Sequence, residues 1–325
     1  MMKAVQFSEY GSTDVLTVVD IPKPTAEASQ VLIRVEYAGV NFIDTYLRTG
    51  LYTSVLPATA GREAGGVIEH VGEAVPAEYG LAVGDRVAVF GPAALAEYMA
   101  AEASTVLKLP ESVSTREGAA LILQGLTAWT LVRDAHDVKA GETVLVQAAA
   151  GGTGGLLVQM AKALGATVIG TASTPAKIEV ARKHGCDHVI NYAEDDMETE
   201  VLRLTDGQGC HAVFSGVGKA TLVADMNVTR RKGTFVTFGN SSGAIESVRP
   251  LDLSRKNIKL VRPTLTNYIA TREEFSERSA ELVDLVASGR LSVSIGGEYG
   301  LHEVGKAQDA LVARKTVGKL VIKVQ

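Results

Sequence analysis

A strand, a run of small residues and a helix follow one another over residues 144–166, and together they can hold a pyrophosphate. Val144, Leu145 and Val146 lead in; Ala149, Gly151, Gly152, Thr153 and Gly154 form the turn. Leu157, Met160, Ala161 and Leu164 then recur at i, i+3, i+4 and i+7, one face of a helix. Small residues let backbone N–H groups approach phosphate oxygens, and the positive end of the emerging helix favours their charge. Read as G-x-G-x-x-G with Ala149 in the first place, Gly151 supplies the close approach and Gly154 the helix–strand packing.

A second clue follows the turn. A site that selects an unphosphorylated ribose places a carboxylate roughly 20 residues past the loop, to hold the 2′-hydroxyl. Ala172 stands near that place, and residues 167–177 contain no Asp or Glu. A 2′-phosphate is therefore tolerated. Lys177 reads by itself as a solvated side chain in the first turn of a helix. The pattern predicts NADPH in preference to NADH.

The elements around the loop have the order that such a site needs. Apolar, β-prone runs at 144–148, 167–171, 188–190, 212–215, 233–238 and 258–262 make six strands. Helix-like segments at 175–184, 197–205 and 220–228 separate the early ones. This alternation predicts an α/β fold with a doubly wound, six-stranded parallel sheet, the dinucleotide lying at the carboxyl ends of the strands. The turn at Gly216 and Val217, after the fourth strand, is expected beside the cofactor.

The first 110 residues read differently, with short strands at 3–8, 31–38, 66–71, 86–90 and 98–101 between Gly, Pro and Gly-Asp turns. That predicts a mostly β domain, a partly open barrel. A capping box at 114–117 opens a short helix, and another at 271–274 opens a helix over 272–288 that Gly289 stops. Strand-like pieces at 290–295 and 319–324 cannot extend a finished parallel sheet, so the tail is expected to return to the N-terminal domain. The expected domains are 1–122 with 266–325, and 123–265, with a cleft over the glycine loop.

Bulk properties narrow the function classes. A chain of 325 residues with 46% apolar and 21% charged residues can bury two sizeable cores. A net charge of −5 gives no broad footprint for nucleic acid or anionic membrane, and no apolar run reaches the roughly 20 residues of a membrane helix. Residues 1–10 alternate like a strand and carry Lys3 and Glu9, so no leader peptide is expected. Cys186 and Cys210 make no disulfide framework and are expected as reduced packing residues of a cytoplasmic enzyme. The six histidines show no metal-ligand spacing.

Four blocks carry a resemblance that covers essentially the whole chain: Gly39-Val40-Asn41-Phe42-Ile43-Asp44-Thr45-Tyr46, residues 148–154, residues 238–243, and Tyr268-Ile269-Ala270-Thr271-Arg272. They resemble the zinc-free quinone oxidoreductases, a branch of the medium-chain dehydrogenase/reductase superfamily with zeta-crystallin among its relatives. The one departure in the loop is Thr153, where valine is common and threonine nearly isosteric. The resemblance implies a GroES-like catalytic domain built from both chain ends, a Rossmann domain, NADPH as hydride donor, a quinone substrate and a homodimer, joined through the strand at 258–262.

The resemblance also implies roles for particular residues. Ser173, Lys177 and Tyr192 would surround the 2′-phosphate; Phe238, Gly239, Asn240 and Ser241 would lie on the nicotinamide side. Lys319 would stand near the pyrophosphate, its alternative being a surface lysine on a terminal strand. Asn41 and Tyr46 would line the nicotinamide and quinone, with Tyr52 offering a second ring and Gln124 a second amide; protons would come mainly from water. Asp44 is expected in a structural hydrogen bond or ion pair, and Arg62 paired with Glu63 or another carboxylate. Zinc-dependent relatives bear their catalytic ligands at the positions of Asn41, Arg62 and Gln124, none of them a good zinc ligand, so no metal is expected.

Three other readings compete. An NADPH-dependent alkenal or enone reductase would use the same hydride on a conjugated carbon. Residues 239–243 spell G-x-S-x-G, the nucleophile elbow of an α/β-hydrolase, but 244–250 lack the helical period that an elbow requires. A non-catalytic crystallin-like or RNA-binding role lacks a basic–aromatic stripe and would leave the cofactor blocks without purpose.

Overall fold

Apolar residues on both faces of short strands force the parallel sheet that the alternation of elements predicts. A computed structural model describes residues 1–325, which divide into two compact units. Met1–Leu126 with Ile269–Gln325 form the first, and Thr127–Tyr268 the second.

The first unit opens with β1 (Met2–Phe7), β2 (Thr17–Ile21), β3 (Gln30–Val40), α1 (Phe42–Arg48), β4 (Ala58–Thr59) and β5 (Glu63–Val71). Strands β6 (Arg86–Phe90), β7 (Tyr98–Glu102) and β8 (Val106–Lys108) follow, and then helix α2 (Thr115–Thr130). The capping box is present: the Ser114 N–H donates to Glu117 Oε2 at 2.9 Å, and the Glu117 N–H to Ser114 Oγ at 3.2 Å. It opens sixteen residues of helix rather than the short one expected.

The second unit contains β9 (Thr143–Val146), α3 (Gly152–Ala163), β10 (Thr167–Ala172), α4 (Pro175–Lys183), β11 (His188–Asn191) and α5 (Met197–Leu204). It continues through β12 (Cys210–Ser215), α6 (Leu222–Val228), β13 (Thr229–Thr237), α7 (Pro250–Ser254), β14 (Lys259–Val261) and α8 (Leu265–Tyr268). The strand order is β11-β10-β9-β12-β13-β14, and every neighbouring pair is parallel. Val144, Leu145, Val168, Ile169, Val213, Phe214, Phe235 and Val236 are fully buried, as a sheet covered on both faces requires. The order reverses between β9 and β12, so the carboxyl ends of these strands flank the switch-point crevice of a doubly wound sheet.

The chain then returns to the first unit through α9 (Arg272–Ala287), β15 (Ile295–Gly300), α10 (Val304–Val312) and β16 (Lys319–Lys323). Strand β16 lies antiparallel on β3 with Leu320 opposite Val40, and joins the order β15-β16-β3-β5-β6-β8, with β7 also on β3. Strands β2, β1 and β4 form a separate small sheet. Helix α9 begins at its capping box and gives way at Gly289, whose φ of 71° only glycine adopts readily.

The tail differs from expectation in two places. Residues 290–294 are not in a strand: the Leu291 N–H donates to the Leu285 carbonyl at 2.9 Å and so continues the closure of α9. The strand starts at Ile295 and runs through Gly296 and Gly297, residues ordinarily poor in strands. A Cβ at Gly296 would lie 1.7 Å from the Val317 carbonyl oxygen, so close approach to the chain entering β16 explains the glycine. Helix α10 has no counterpart among the expected elements.

Candidate active site

In the second unit, the turn after β9 is built by backbone geometry rather than by side chains. Ala148 sits in the left-handed region at φ 55°, and its N–H donates to Thr171 Oγ1 at 3.1 Å. The Ala149 N–H donates to the Thr171 carbonyl at 3.1 Å, which straps the turn to β10. Gly151 caps α3 without a side-chain bond, leaving first-turn N–H groups available to an anion. Gly152, Thr153 and Gly154 open the helix. A Cβ at Gly154 would stand 2.2 Å from the Ala148 carbonyl oxygen, so the close packing assigned to this glycine is a steric necessity. His184, which the motif does not reveal, supports the turn from below, with Nδ1 3.2 Å from the Ala149 carbonyl.

Neighbouring strand ends bring the remaining residues of this unit into two groups. Ser173 follows β10, Thr174 caps α4 by accepting from the Lys177 N–H at 3.3 Å, and the Tyr192 N–H donates to the Ala172 carbonyl at 3.1 Å. Ser173, Lys177 and Tyr192 thus share the ends of β10 and β11, where Ala172 replaces a carboxylate. The second group joins the loops after β12 and β13. The Phe238 N–H donates to Ser215, that of Ser241 to Gly216 and that of Ser242 to Val217, at 2.9, 3.2 and 2.8 Å. Gly216, Val217, Phe238, Gly239, Asn240 and Ser241 therefore lie side by side. No helix follows Ser241 before α7, so the strand–Ser–helix geometry of a hydrolase elbow is absent.

Beneath these loops lies a buried polar network that the motif search did not find. The Asp225 carboxylate accepts from Gln147 Nε2 at 2.7 Å and Thr221 Oγ1 at 2.6 Å, while Thr171 Oγ1 donates to Gln147 Oε1 at 2.6 Å. Burial pushes the Asp225 carboxyl upward against these hydrogen bonds. The network ties the crests of β9 and β10 to α6, and with them the turn above.

In the first unit, Asn41 ends β3 and caps α1, its N–H donating to Asp44 Oδ2 at 2.7 Å. Its side chain is the hub of a buried cluster. Asn41 Nδ2 donates to Glu63 Oε1 at 2.6 Å, and Asn41 Oδ1 accepts from Lys319 Nζ at 2.6 Å and from Gln124 Nε2 at 3.2 Å. Lys319 and Glu63 form an ion pair whose side chains are 1% and 0% exposed. The other carboxylate oxygen, Glu63 Oε2, accepts from the Leu123 N–H at 2.7 Å.

Two expectations change here. Lys319 is not a surface lysine: its side chain is 1% exposed and its ammonium is paired with Glu63 inside the first unit. Glu63 pairs with Lys319 and not with Arg62, whose buried Nε has no hydrogen-bond partner. Arg48 is scaffold: it donates to the Gly11 carbonyl and to Gln308 Oε1. Tyr46, buried, meets Tyr52 edge-on with ring centroids 5.4 Å apart, and the Tyr52 N–H donates to the Tyr46 carbonyl. Asn41 and Tyr46 thus share α1 and its cap, Tyr52 packs on Tyr46, and Gln124 of α2 joins them through its hydrogen bond to Asn41.

Comparison with known proteins matches each unit. Residues 27–111 fit the alcohol dehydrogenase GroES-like domain, and residues 152–286 the zinc-binding dehydrogenase family. A Pseudomonas syringae quinone oxidoreductase structure is 40% identical, covers 100% of both chains and superposes with a TM-score of 0.96. The chain belongs to the quinone oxidoreductase family. The Escherichia coli quinone oxidoreductase, solved with NADPH, is 36% identical over 99% of this chain and 100% of that one, with a TM-score of 0.95. A 2-haloacrylate reductase from Burkholderia is 35% identical over 99% of each chain.

The metal in the second family's description does not fit these donors. No three His, Cys, Asp or Glu side chains converge anywhere in the chain. Asn41, Arg62 and Gln124, which the resemblance sets at the catalytic zinc ligands, are two amides and a guanidinium, and the Lys319 ammonium already donates to one of the amides.

Burial pushes the Asp44 carboxyl up to about 7, against the lowering effect of the Asn41 N–H and of Lys319. Oδ1 of this carboxyl has no hydrogen-bond partner. A carboxyl raised on folding contributes stability that is complete at acid pH and is lost as pH climbs through the folded value. Asp44→Asn should therefore gain on the wild type between about pH 5 and 7, by up to about 1.4 kcal/mol per pH unit. Urea denaturation across that range measures the gap; a gap independent of pH contradicts the assignment.

Proposed function

We propose that the chain is an NADPH-dependent quinone reductase that works without zinc. The observation that carries the cofactor reading is the pairing of the glycine turn, where Gly154 admits no Cβ, with a stretch at the end of β10, residues 167–177, that has Lys177 and no Asp or Glu. A carboxylate there would repel a 2′-phosphate, whereas Lys177 attracts it. The E. coli relative solved with NADPH supports the same choice. Bound NADPH supplies a hydride. The quinone gains two electrons and one hydrogen from it and takes a second proton from water, giving the hydroquinone.

The residues of the first unit suit such an acceptor. Tyr46 and Tyr52 offer aromatic surface to a flat ring, and the Asn41 and Gln124 amides offer N–H donors to its oxygen. A simple ketone reduced without a Lewis acid forgoes several kcal/mol of stabilisation of the charge that develops; a quinone depends on it less because it delocalises that charge over its ring. The Burkholderia 2-haloacrylate reductase favours a second reading, hydride delivery to the conjugated carbon of an activated alkene. No helix of this chain is long and apolar enough to cross a membrane. Cys186 and Cys210 are free and buried, their thiols pushed up to about 12 mainly by burial, which suits a reducing cytoplasm.

We infer a homodimer joined through β14, an end strand of its sheet whose outer edge no strand of this chain covers; the resemblance to the quinone oxidoreductases supports the choice of this edge. An open edge is a template for a second copy. Sedimentation at micromolar concentration should give twice the 34.2 kDa chain mass; a monomer overturns the pairing.

NADPH oxidation measured against benzoquinones, alkenals and simple ketones tests the substrate. Quinones should be turned over fastest and simple ketones not at all; alkenals ahead of every quinone would favour the second reading. Lys177→Ala should raise the KM for NADPH about tenfold or more and barely move that for NADH. Equal effects on both cofactors would remove Lys177 from the 2′-phosphate.

A further inference from the structure

The Lys319–Glu63 pair has no task in the reading so far. Charges are costly to bury, and a well-packed apolar pair of similar volume often serves stability as well or better. What the pair does beyond packing is visible at Asn41. An amide side chain has a donor end and an acceptor end, and its hydrogen-bond partners decide which way it faces. Here Oδ1 accepts from the Lys319 ammonium and from Gln124 Nε2, while Nδ2 donates to Glu63. Rotating the amide by half a turn would set its NH2 against an ammonium and another NH2, and its oxygen against a carboxylate. Each partner is itself fixed: Glu63 by the Leu123 N–H, Lys319 by its place in β16 beside β3.

We propose that Lys319 and Glu63 are positioning residues that lock Asn41 in its donor orientation, so that its second Nδ2–H, never its oxygen, is offered to the carbonyl oxygen of the hydride acceptor. One hydrogen of Nδ2 is spent on Glu63, and the other remains for the acceptor. Lys319 thus acts through Asn41 and touches neither substrate nor cofactor. This inference rests on the quinone reductase reading, with Asn41 beside the acceptor. It selects acceptors that carry a carbonyl oxygen and gain negative charge there on reduction.

The test uses Lys319→Met/Glu63→Met, which removes both charges together and leaves no buried ion unpaired. With a benzoquinone, kcat should fall by about tenfold or more, while the dissociation constant for NADPH stays within about twofold of the wild type. In an Asn41→Ala background the same two substitutions should lower kcat no further. Lys319→Arg should recover part of the loss, because it keeps a donor cation. Without any ligand, the Asn41 side-chain NH2 protons should be protected from exchange in the wild type and not in the double variant. An unchanged kcat, a loss of equal size in the Asn41→Ala background, or a loss confined to NADPH affinity overturns the proposal. A wild-type protein that reduces no quinone takes down the functional reading and this inference with it; variants that fail to respond, in a protein that does reduce quinones, take down the inference alone.

Discussion

One buried ion pair joins the two ends of the first unit. Lys319 arrives on the last strand, Glu63 on β5, and both meet Asn41 where β3 becomes α1. Removing one partner would leave an uncompensated charge in the interior, at a cost of about 3–5 kcal/mol. The antiparallel register of β16 on β3, with Leu320 opposite Val40, is what carries the lysine to this place. The return of the tail to the first unit is therefore a condition of the Asn41 cluster being assembled at all.

The second unit solves a different problem with different means. A dinucleotide must be held by backbone N–H groups, so the turn is kept free of side chains and stiffened from outside. Thr171 straps it to β10, His184 supports it near Ala149, and the Gln147–Asp225 network fixes the strand crests below. Rigid backing of this kind keeps helix-end N–H groups aimed at a phosphate without reorganisation on binding. Hydrogen bonds between the loops after β12 and β13 do the same for Gly216, Val217 and Phe238 through Ser241.

Much of this was legible in the sequence because it is written in local patterns. Six β-prone runs, two capping boxes and a small-residue turn each depend on residues close together in the chain. The carboxylate missing near Ala172 could be read in the same way. What escaped was non-local or counter to propensity. The strand Ile295–Gly300 contains two adjacent glycines, Gly296 required by close approach to the Val317 carbonyl, so no β signal marks it. Lys319 and Glu63 lie far apart in sequence, and a lysine on a terminal strand ordinarily faces water. Only the strand pairing shows that it faces inward. Arg62 was expected to pair with Glu63 or another carboxylate; the structure gives Glu63 to Lys319, a partner far away in sequence.

The central proposal is that the Asn41 amide, held by Lys319 and Glu63, serves quinone reduction without a metal. Elemental analysis of protein during full turnover tests it most directly, with activity followed in parallel after exhaustive chelation. The account predicts no stoichiometric zinc and undiminished quinone reduction in the chelated sample. About one zinc per chain, lost together with activity and restored with it, would contradict the account.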